Sequence, residues 1–351
     1  MVENEKLPTA VDLFCGCGGV TLALKRQNFN VVAAVDNDSS ACITYRKNHN
    51  DVMLYENDIM LLNPETIRHN DLKGENLDLL VVCAPCQPFS NQNRHKYSED
   101  SRMRLILESI RFAKSLKPSL IFFENVAGLS NKKNDGILQE LTEGLETAGF
   151  KLGQPTRINA ADYGVPQRRI RCIMLAASSF YPPKLPQPIP VDKRNTVRAA
   201  IAHLRRLESG QKDPLDPLHF ARNHQPIALE RLKHIPKNGG SRFSLPEHLA
   251  LKCHKGHSGH PDVYGRMSWD TVAPTLTSGC TDITRGRFAH PEDDRAITLR
   301  EAALLQTFPS DYEFVGSLSQ IASQIGNAVP VRLAEALAPI LRRSIMNQRV
   351  N

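Results

Sequence analysis

The chain has 351 residues, 41% of them apolar and 23% charged, with 44 Lys+Arg against 37 Asp+Glu. That length holds one or two domains with a sizeable core, the apolar fraction excludes a disordered chain, and no apolar run is long enough to span a membrane. The opening residues, MVENEKLPTA, lack the basic-then-apolar layout of an export signal, so the eight cysteines read as thiols rather than a disulfide framework, in a cytoplasmic protein.

Strand-like and helix-like runs alternate through the first part of the chain. Residues 8–14 predict a strand ending at a glycine-rich turn, 20–27 a helix, 30–35 a second strand closed by Asp36, and 39–48 another helix. Continuous apolar runs at 77–83 and 119–123 predict strands buried on both faces, as in a parallel sheet. Residues 104–116 and 137–148 fit the crossover helices between them, and 171–177 predicts a late strand of the same sheet. The expected fold is therefore α/β, a doubly wound, mostly parallel sheet over residues 1–180.

Five prolines within residues 181–190 mark a linker. Residues 181–290 are expected to form a second, smaller, irregular basic domain with short strands. From 179 to 290 there are 17 Lys+Arg against 9 Asp+Glu, and nine of the twelve histidines. Such a segment suits a polyanion, nucleic acid first, or forms a solvated basic face. Residues 291–351 are expected to return to complete the first domain. Thr298 and Glu301 have the spacing of a capping box, and 331–344 shows helical periodicity.

Several residue groups carry chemistry. In Asp12-Leu-Phe14-Cys-Gly16-Cys-Gly18-Gly19, glycines between strand and helix let a ligand approach the backbone, or simply make a tight turn. Asp36, about twenty residues on, is placed to bind a ribose diol. Pro85-Cys86-Gln87-Pro88 follows a buried strand, and two prolines fix the backbone around a thiol that suits a nucleophile. A redox pair with Cys83 and half a metal site are the alternatives. Glu124-Asn125 ends another apolar strand, either as a functional acid and amide or as a helix cap. In Gln167-Arg168-Arg169-Ile170-Arg171, strand alternation puts Arg169 and Arg171 on one face. Cys253, His254, His257 and His260 have the types of a zinc site, but a Gly/His-rich loop facing nucleic acid is the stronger reading and no metal is expected.

Taken in order and spacing, Asp12-Leu-Phe-Cys-Gly-Cys-Gly-Gly19, Pro85-Cys-Gln87, Glu124-Asn-Val126, Gln167-Arg-Arg-Ile-Arg171, Thr298–Pro309 and Gly326-Asn327 resemble the motifs of the C5-cytosine DNA methyltransferases. The resemblance spans residues 9 to 340 and is weakest in the basic middle. It implies a methyl transfer from S-adenosylmethionine to carbon 5 of a cytosine flipped out of duplex DNA. By the same resemblance Cys86 is the nucleophile that adds to carbon 6, Glu124 holds N3 and the amino group, and Arg169 holds O2. Phe14, Gly16, Gly18, Gly19, Asp36, Asn37, Asp58, Ile59 and Asn327 are implied to contact the cofactor. Gln87, Ser90, Arg171, Thr275, Leu276 and Thr277 are implied to contact DNA. Asn37 departs from the family, which often has a bulky apolar residue there, as does Cys83-Ala84, where a glycine and an aromatic are common. Within the basic segment Arg242, Lys252, Lys255, Arg266, Arg285 and Arg287 are candidate DNA contacts.

The expected protein is a monomeric modification enzyme of a bacterium or phage, associated with the nucleoid. Double-stranded DNA is its partner, and a cognate restriction endonuclease acts separately. A tRNA cytosine-C5 methyltransferase and a catalytically inactive DNA-binding protein are the competing functions.

Overall fold

The computed structural model describes residues 6–85, 101–131, 134–251 and 262–350. The chain divides into two compact units, one of residues 1–159, 170–188 and 331–351, the other of 160–169 and 189–330. The first division after the sheet thus falls at 188/189 rather than 180/181, and only the last twenty or so residues return to the first unit.

The first unit is a mixed sheet. β1 (Thr9–Leu13), β2 (Asn30–Asp36), β3 (Met53–Glu56), β4 (Leu79–Val82) and β5 (Leu120–Val126) are parallel, in the order β3-β2-β1-β4-β5. β8 (Ile170–Ala177) extends the sheet antiparallel to β5, and the short strands β6 (Lys151–Leu152) and β7 (Thr156–Asn159) pair antiparallel with β8. The central strands are covered on both faces: all four residues of β4 are fully buried, as their unbroken apolar run requires. Val11, Leu13, Leu80, Val82, Ile121 and Phe123 form the heart of one core cluster, each worth about 1.5–3 kcal/mol of burial.

Helices α1 (Gly19–Arg26), α2 (Ser39–Asn48), α3 (Pro64–Asn70), α4 (Glu108–Leu116) and α5 (Asp135–Thr147) connect the strands. The Asp38 carboxylate caps α2 by accepting from the Ser40 and Ala41 amides, and Asn63 with Pro64 starts α3. The C-terminal helix, Val331–Val350, continues past the expected end at 344 and contains Pro339. It is tied to the first unit by Arg26–Glu335 at 3.0 Å and by Arg349, which donates to Asp78 at 2.6 Å.

The second unit holds α6 (Val197–Ile201), α7 (Pro226–His234), α8 (Leu299–Leu305) and α9 (Leu318–Asn327). The short strands expected here reduce, among the described residues, to isolated bridges such as Arg266↔Ala289. Regular ladders are replaced by buried arginines. Arg266 is fully buried and donates to the carbonyls of Leu232, Ile235, His290 and Asp293, so it caps the last turn of α7. Arg295 uses all five N–H groups, on Glu301 (2.8 and 2.9 Å), Asp293 (2.9 Å), and the Leu207 and Ala296 carbonyls. Thr298 and Glu301 form the expected capping box at the start of α8.

Candidate active site

Because β1 to β5 run parallel, their C-terminal ends share one edge of the sheet, where open α/β sheets bind ligands. The glycine turn follows β1, Asp36 ends β2, Asp58 follows β3, and Glu124 lies near the end of β5. β8 runs the other way, so its first residues reach the same edge: Arg171 is opposite Val126.

The glycine turn is built from unusual backbone. Phe14, Gly16 and Gly18 have φ of 60°, 53° and 93°, a region that costs glycine nothing and a phenylalanine about 1–3 kcal/mol. Gly18 is the N-cap of α1 and Gly19 its first residue. The Asp36 carboxylate faces this turn, accepting from the Gly16 amide at 2.8 Å on one oxygen and the Asp38 amide at 2.9 Å on the other. Burial raises its pKa, an effect those two N–H groups partly oppose. Each oxygen keeps lone-pair capacity, so a ribose diol fits.

Asn37 is exposed, and Asp58 is half-buried in a turn, its Oδ1 accepting from the Met60 amide at 2.9 Å. Ile59 is 4% exposed, its side chain is part of the core, and its carbonyl accepts from Arg111. Below the turn, Asp12 is fully buried, bonded by the Thr21 hydroxyl at 2.8 Å, and its other oxygen has no partner among the described residues. Burial pushes its pKa up to about 7.

Three thiols line the same turn. Burial pushes Cys17 and Cys42 up to about 12, and Cys15 well above its usual value, with Asp12 and Asp36 adding to that rise. These thiols stay protonated and are poor nucleophiles. The six described cysteines, 15, 17, 42, 83, 172 and 280, are all free, as expected. Cys86, Gln87, Ser90, Lys252, Lys255 and the residues 253–260 of the zinc-like motif lie outside the described residues.

The acid of the site is paired. Glu124 is 7% exposed, and its Oε1 lies 2.8 Å from Arg171 Nε. The contact misses hydrogen-bonding geometry, so this buried oxygen accepts no hydrogen bond among the described residues. The sheet register explains the pair: Val126 faces Arg171, and Glu124, two residues away on the same strand face, is its diagonal neighbour. Next to it, Asn125 donates to the Ala84 carbonyl at 3.2 Å and accepts from the Val126 amide at 2.9 Å. That amide fixes the chain two residues before Cys86.

The geometry corrects the expectation for the two arginines. β8 begins at Ile170, so Arg169 precedes the strand and the alternation rule does not reach it. Its guanidinium is 3% exposed and committed to the carbonyls of Leu276 (3.0 Å), Gly326 (3.0 Å) and Ala328 (3.2 Å). Arg171, expected to contact DNA, is the one beside Glu124.

In the second unit Leu276, expected to contact DNA, is 1% exposed, its carbonyl accepting from Arg169 and its amide donating to Gln167. Thr275 is exposed, its hydroxyl donating to the Arg168 carbonyl at 2.7 Å, and Thr277 is half-buried. Asn327, the last residue of α9, is exposed and donates to Ser323 at 3.2 Å. Of the candidate basic contacts, Arg242 and Arg266 are buried. Arg287 is tied to Asp262 and the carbonyls of Gly239, Gly240 and Arg266. Arg285 is exposed, with Asp282 no nearer than 3.9 Å.

Comparison with known proteins follows this layout. The model of the C-5 cytosine-specific DNA methylase family matches residues 9–342. The Type II methylase M.HgiDII of Herpetosiphon aurantiacus is 38% identical over 95% of this chain and 94% of its own length. The Type II methyltransferase M1.HphI of Haemophilus parahaemolyticus is 33% identical over 97% and 88%. In fold, the chain is similar to a prophage-encoded Escherichia coli protein assigned to the DNA modification methyltransferases, with a TM-score of 0.75 at 23% identity over 97% of this chain and 99% of that one. It is also similar to the S. pombe Dnmt2 methyltransferase, with a TM-score of 0.62 at 18% identity over 97% and 99%. The chain belongs to the C-5 cytosine-specific DNA methylases and is a DNA (cytosine-5)-methyltransferase.

Proposed function

We propose that this enzyme methylates carbon 5 of a cytosine within a specific DNA word, through transient attachment of the base to Cys86. Carbon 5 of cytosine is a weak nucleophile. Addition of a thiolate to carbon 6 turns the ring into an enamine whose carbon 5 can attack, which is covalent catalysis. A base stacked in a duplex does not offer carbon 6 to a thiol, so the target is flipped out.

The observation that carries this reading is the buried Glu124–Arg171 pair at the common edge of β5 and β8. A carboxylate with an oxygen that accepts no hydrogen bond among the described residues, and a guanidinium beside it, match the edge of cytosine, with its N3 and amino group on one side and its O2 on the other. Glu124 holds N3 and the amino group, and protonation at N3 makes carbon 6 more electrophilic. Arg171, in place of Arg169, takes O2. Asn125 holds the Ala84 carbonyl, two residues before Cys86 in the chain. Loss of the C5 proton to water and of the Cys86 sulfur as thiolate then restores the ring.

S-adenosylmethionine, when bound, supplies an electrophilic methyl group on a sulfonium. The residues present fit it: Asp36 receives the ribose hydroxyls, Phe14, Gly16, Gly18 and Gly19 take the methionine end, and Asn37, Asp58 and the Ile59 backbone receive the adenine. Asn327 is a further cofactor contact. Gln87, Ser90, Thr275 and Thr277 contact DNA, and exposed Arg285 is the leading candidate for reading a base. Among the described residues no helix is long and apolar enough to cross a membrane. The enzyme works as a cytoplasmic monomer on the nucleoid, with any cognate endonuclease acting separately.

The test is bisulfite sequencing of DNA from cells expressing the protein, with Cys86→Ser beside it. The natural sequence is expected to leave one methylated word and the variant none, while the variant still binds S-adenosylhomocysteine. Near-normal methylation by Cys86→Ser would remove the thiol from the mechanism.

A further inference from the structure

We infer that Arg169 is a positioning residue that couples cofactor binding to DNA binding. Its guanidinium sits at the junction of three segments of the second unit. It donates to the Leu276 carbonyl in the Thr275–Thr277 segment, and to the Gly326 and Ala328 carbonyls on either side of Asn327. The inference rests on the proposed function, in which Thr275 and Thr277 face DNA and Asn327 faces the cofactor.

Two neighbours make the junction stiff. Gln167 accepts from the Leu276 amide at 3.0 Å and donates to Gln306 at 2.9 Å, and Gln306 donates in turn to the Ile325 carbonyl at 2.6 Å. Gly326 meets the other segment backbone to backbone: a Cβ there would lie 2.5 Å from the Ser278 nitrogen and closer still to the Thr277 carbonyl carbon. The two segments can approach this closely only because position 326 carries no side chain.

Each carbonyl that Nη1 and Nη2 hold lowers the cost of burying this guanidinium, and water cannot replace a lost one there. Movement of either segment alone would strand part of that charge. Ordering of Asn327 by the cofactor therefore favours the DNA-competent position of Thr275–Thr277, and by linkage DNA favours the cofactor-competent position to the same degree. Lysine cannot substitute, because one ammonium does not reach three carbonyls in a planar fork.

The test starts from the duplex word found by bisulfite sequencing; finding no methylated word would sink the functional reading, not this coupling. The affinity for S-adenosylhomocysteine is then measured by calorimetry with and without a saturating duplex carrying that word. The natural sequence is expected to bind it about tenfold more tightly with the duplex present. Arg169→Lys is expected to shrink that gain to less than about twofold, while its affinity without DNA changes by less than about threefold. A wild-type gain below about twofold, or a full gain in Arg169→Lys, overturns the inference. If Arg169→Lys loses cooperative melting, Gln167→Met takes its place. It removes the acceptor of the Leu276 amide and leaves the guanidinium, and it is expected to cut the gain at least about threefold. An unchanged gain there overturns the inference as well.

Discussion

Each unit contains a buried arginine–glutamate pair, and the two are finished to different degrees. In the second unit Arg295 and Glu301 are each 1% exposed, joined by two hydrogen bonds, and completed by Asp293, two carbonyls and the Thr298 amide. In the first, the side chains of Arg171 and Glu124 are each 9% exposed, approach to 2.8 Å without a hydrogen bond, and leave a carboxylate oxygen that accepts none among the described residues. Burial alone does not separate a structural pair from a working one. In the function proposed above, completeness does: the saturated pair has nothing left to offer a ligand, whereas the open one has capacity that a bound base can use.

Substitutions that separate these two roles sharpen the comparison. The largest effect is expected at the closed pair. Glu301→Gln leaves buried Arg295 with Asp293 as its one remaining carboxylate partner among the described residues and should cost about 3–5 kcal/mol in denaturant unfolding. Burial alone would raise the Glu301 carboxyl, but Arg295 brings it down to about 2. A lowered carboxylate stabilises the fold above its ordinary value near 4.5, and that contribution is lost as pH falls towards 2. Glu124→Gln should show the reverse pattern, with kcat down about 10²–10³-fold and little change in melting temperature. A large loss of stability without a matching loss of kcat would place the two pairs in the same class.

Asp36→Ala should weaken S-adenosylhomocysteine binding about 10–100-fold by calorimetry, through loss of charge-assisted hydrogen bonds to the ribose. Unchanged affinity would remove Asp36 from the cofactor site. The smallest effect is expected at His290, which accepts from the Glu292 and Asp293 amides and is held neutral by burial, near a pKa of about 4. Its unfolded ring titrates near 6.5, so the unfolded chain takes up the proton first and stability falls as pH drops between those values. His290→Asn should flatten the melting temperature over that window.

The parallel part of the sheet was legible because β4 and β5 are unbroken apolar runs, a pattern that demands cover on both faces. The edge strand β3 was not: its four residues mix apolar and polar types, and the first and last are exposed. Helix α3 had a readable start in Asn63-Pro64 but little apolar periodicity, with Pro64 and Ile67 its only buried residues. The reversed direction of β8 leaves no mark in a sequence, because side chains alternate identically in either direction. The arginines were misplaced for another reason: β8 begins at Ile170, so Arg169 lies before the strand. Alternation predicts that Arg169 and Arg171 act together, yet only the register of β8 against β5 reveals which of them reaches Glu124. In the second unit, charge counting located a basic segment but could not tell a cation in solvent from one folded inward, and Arg266 is of the second kind.

The C-terminal helix has a consequence for how the protein is made. It joins the first unit beside α1, clasped through Glu335 and Arg349, yet a ribosome delivers it only after the entire inserted second unit. The nascent sheet must wait with one flank bare while its insert is synthesised and can close up on its own. Premature termination anywhere inside the insert therefore yields a product that lacks the final clasp.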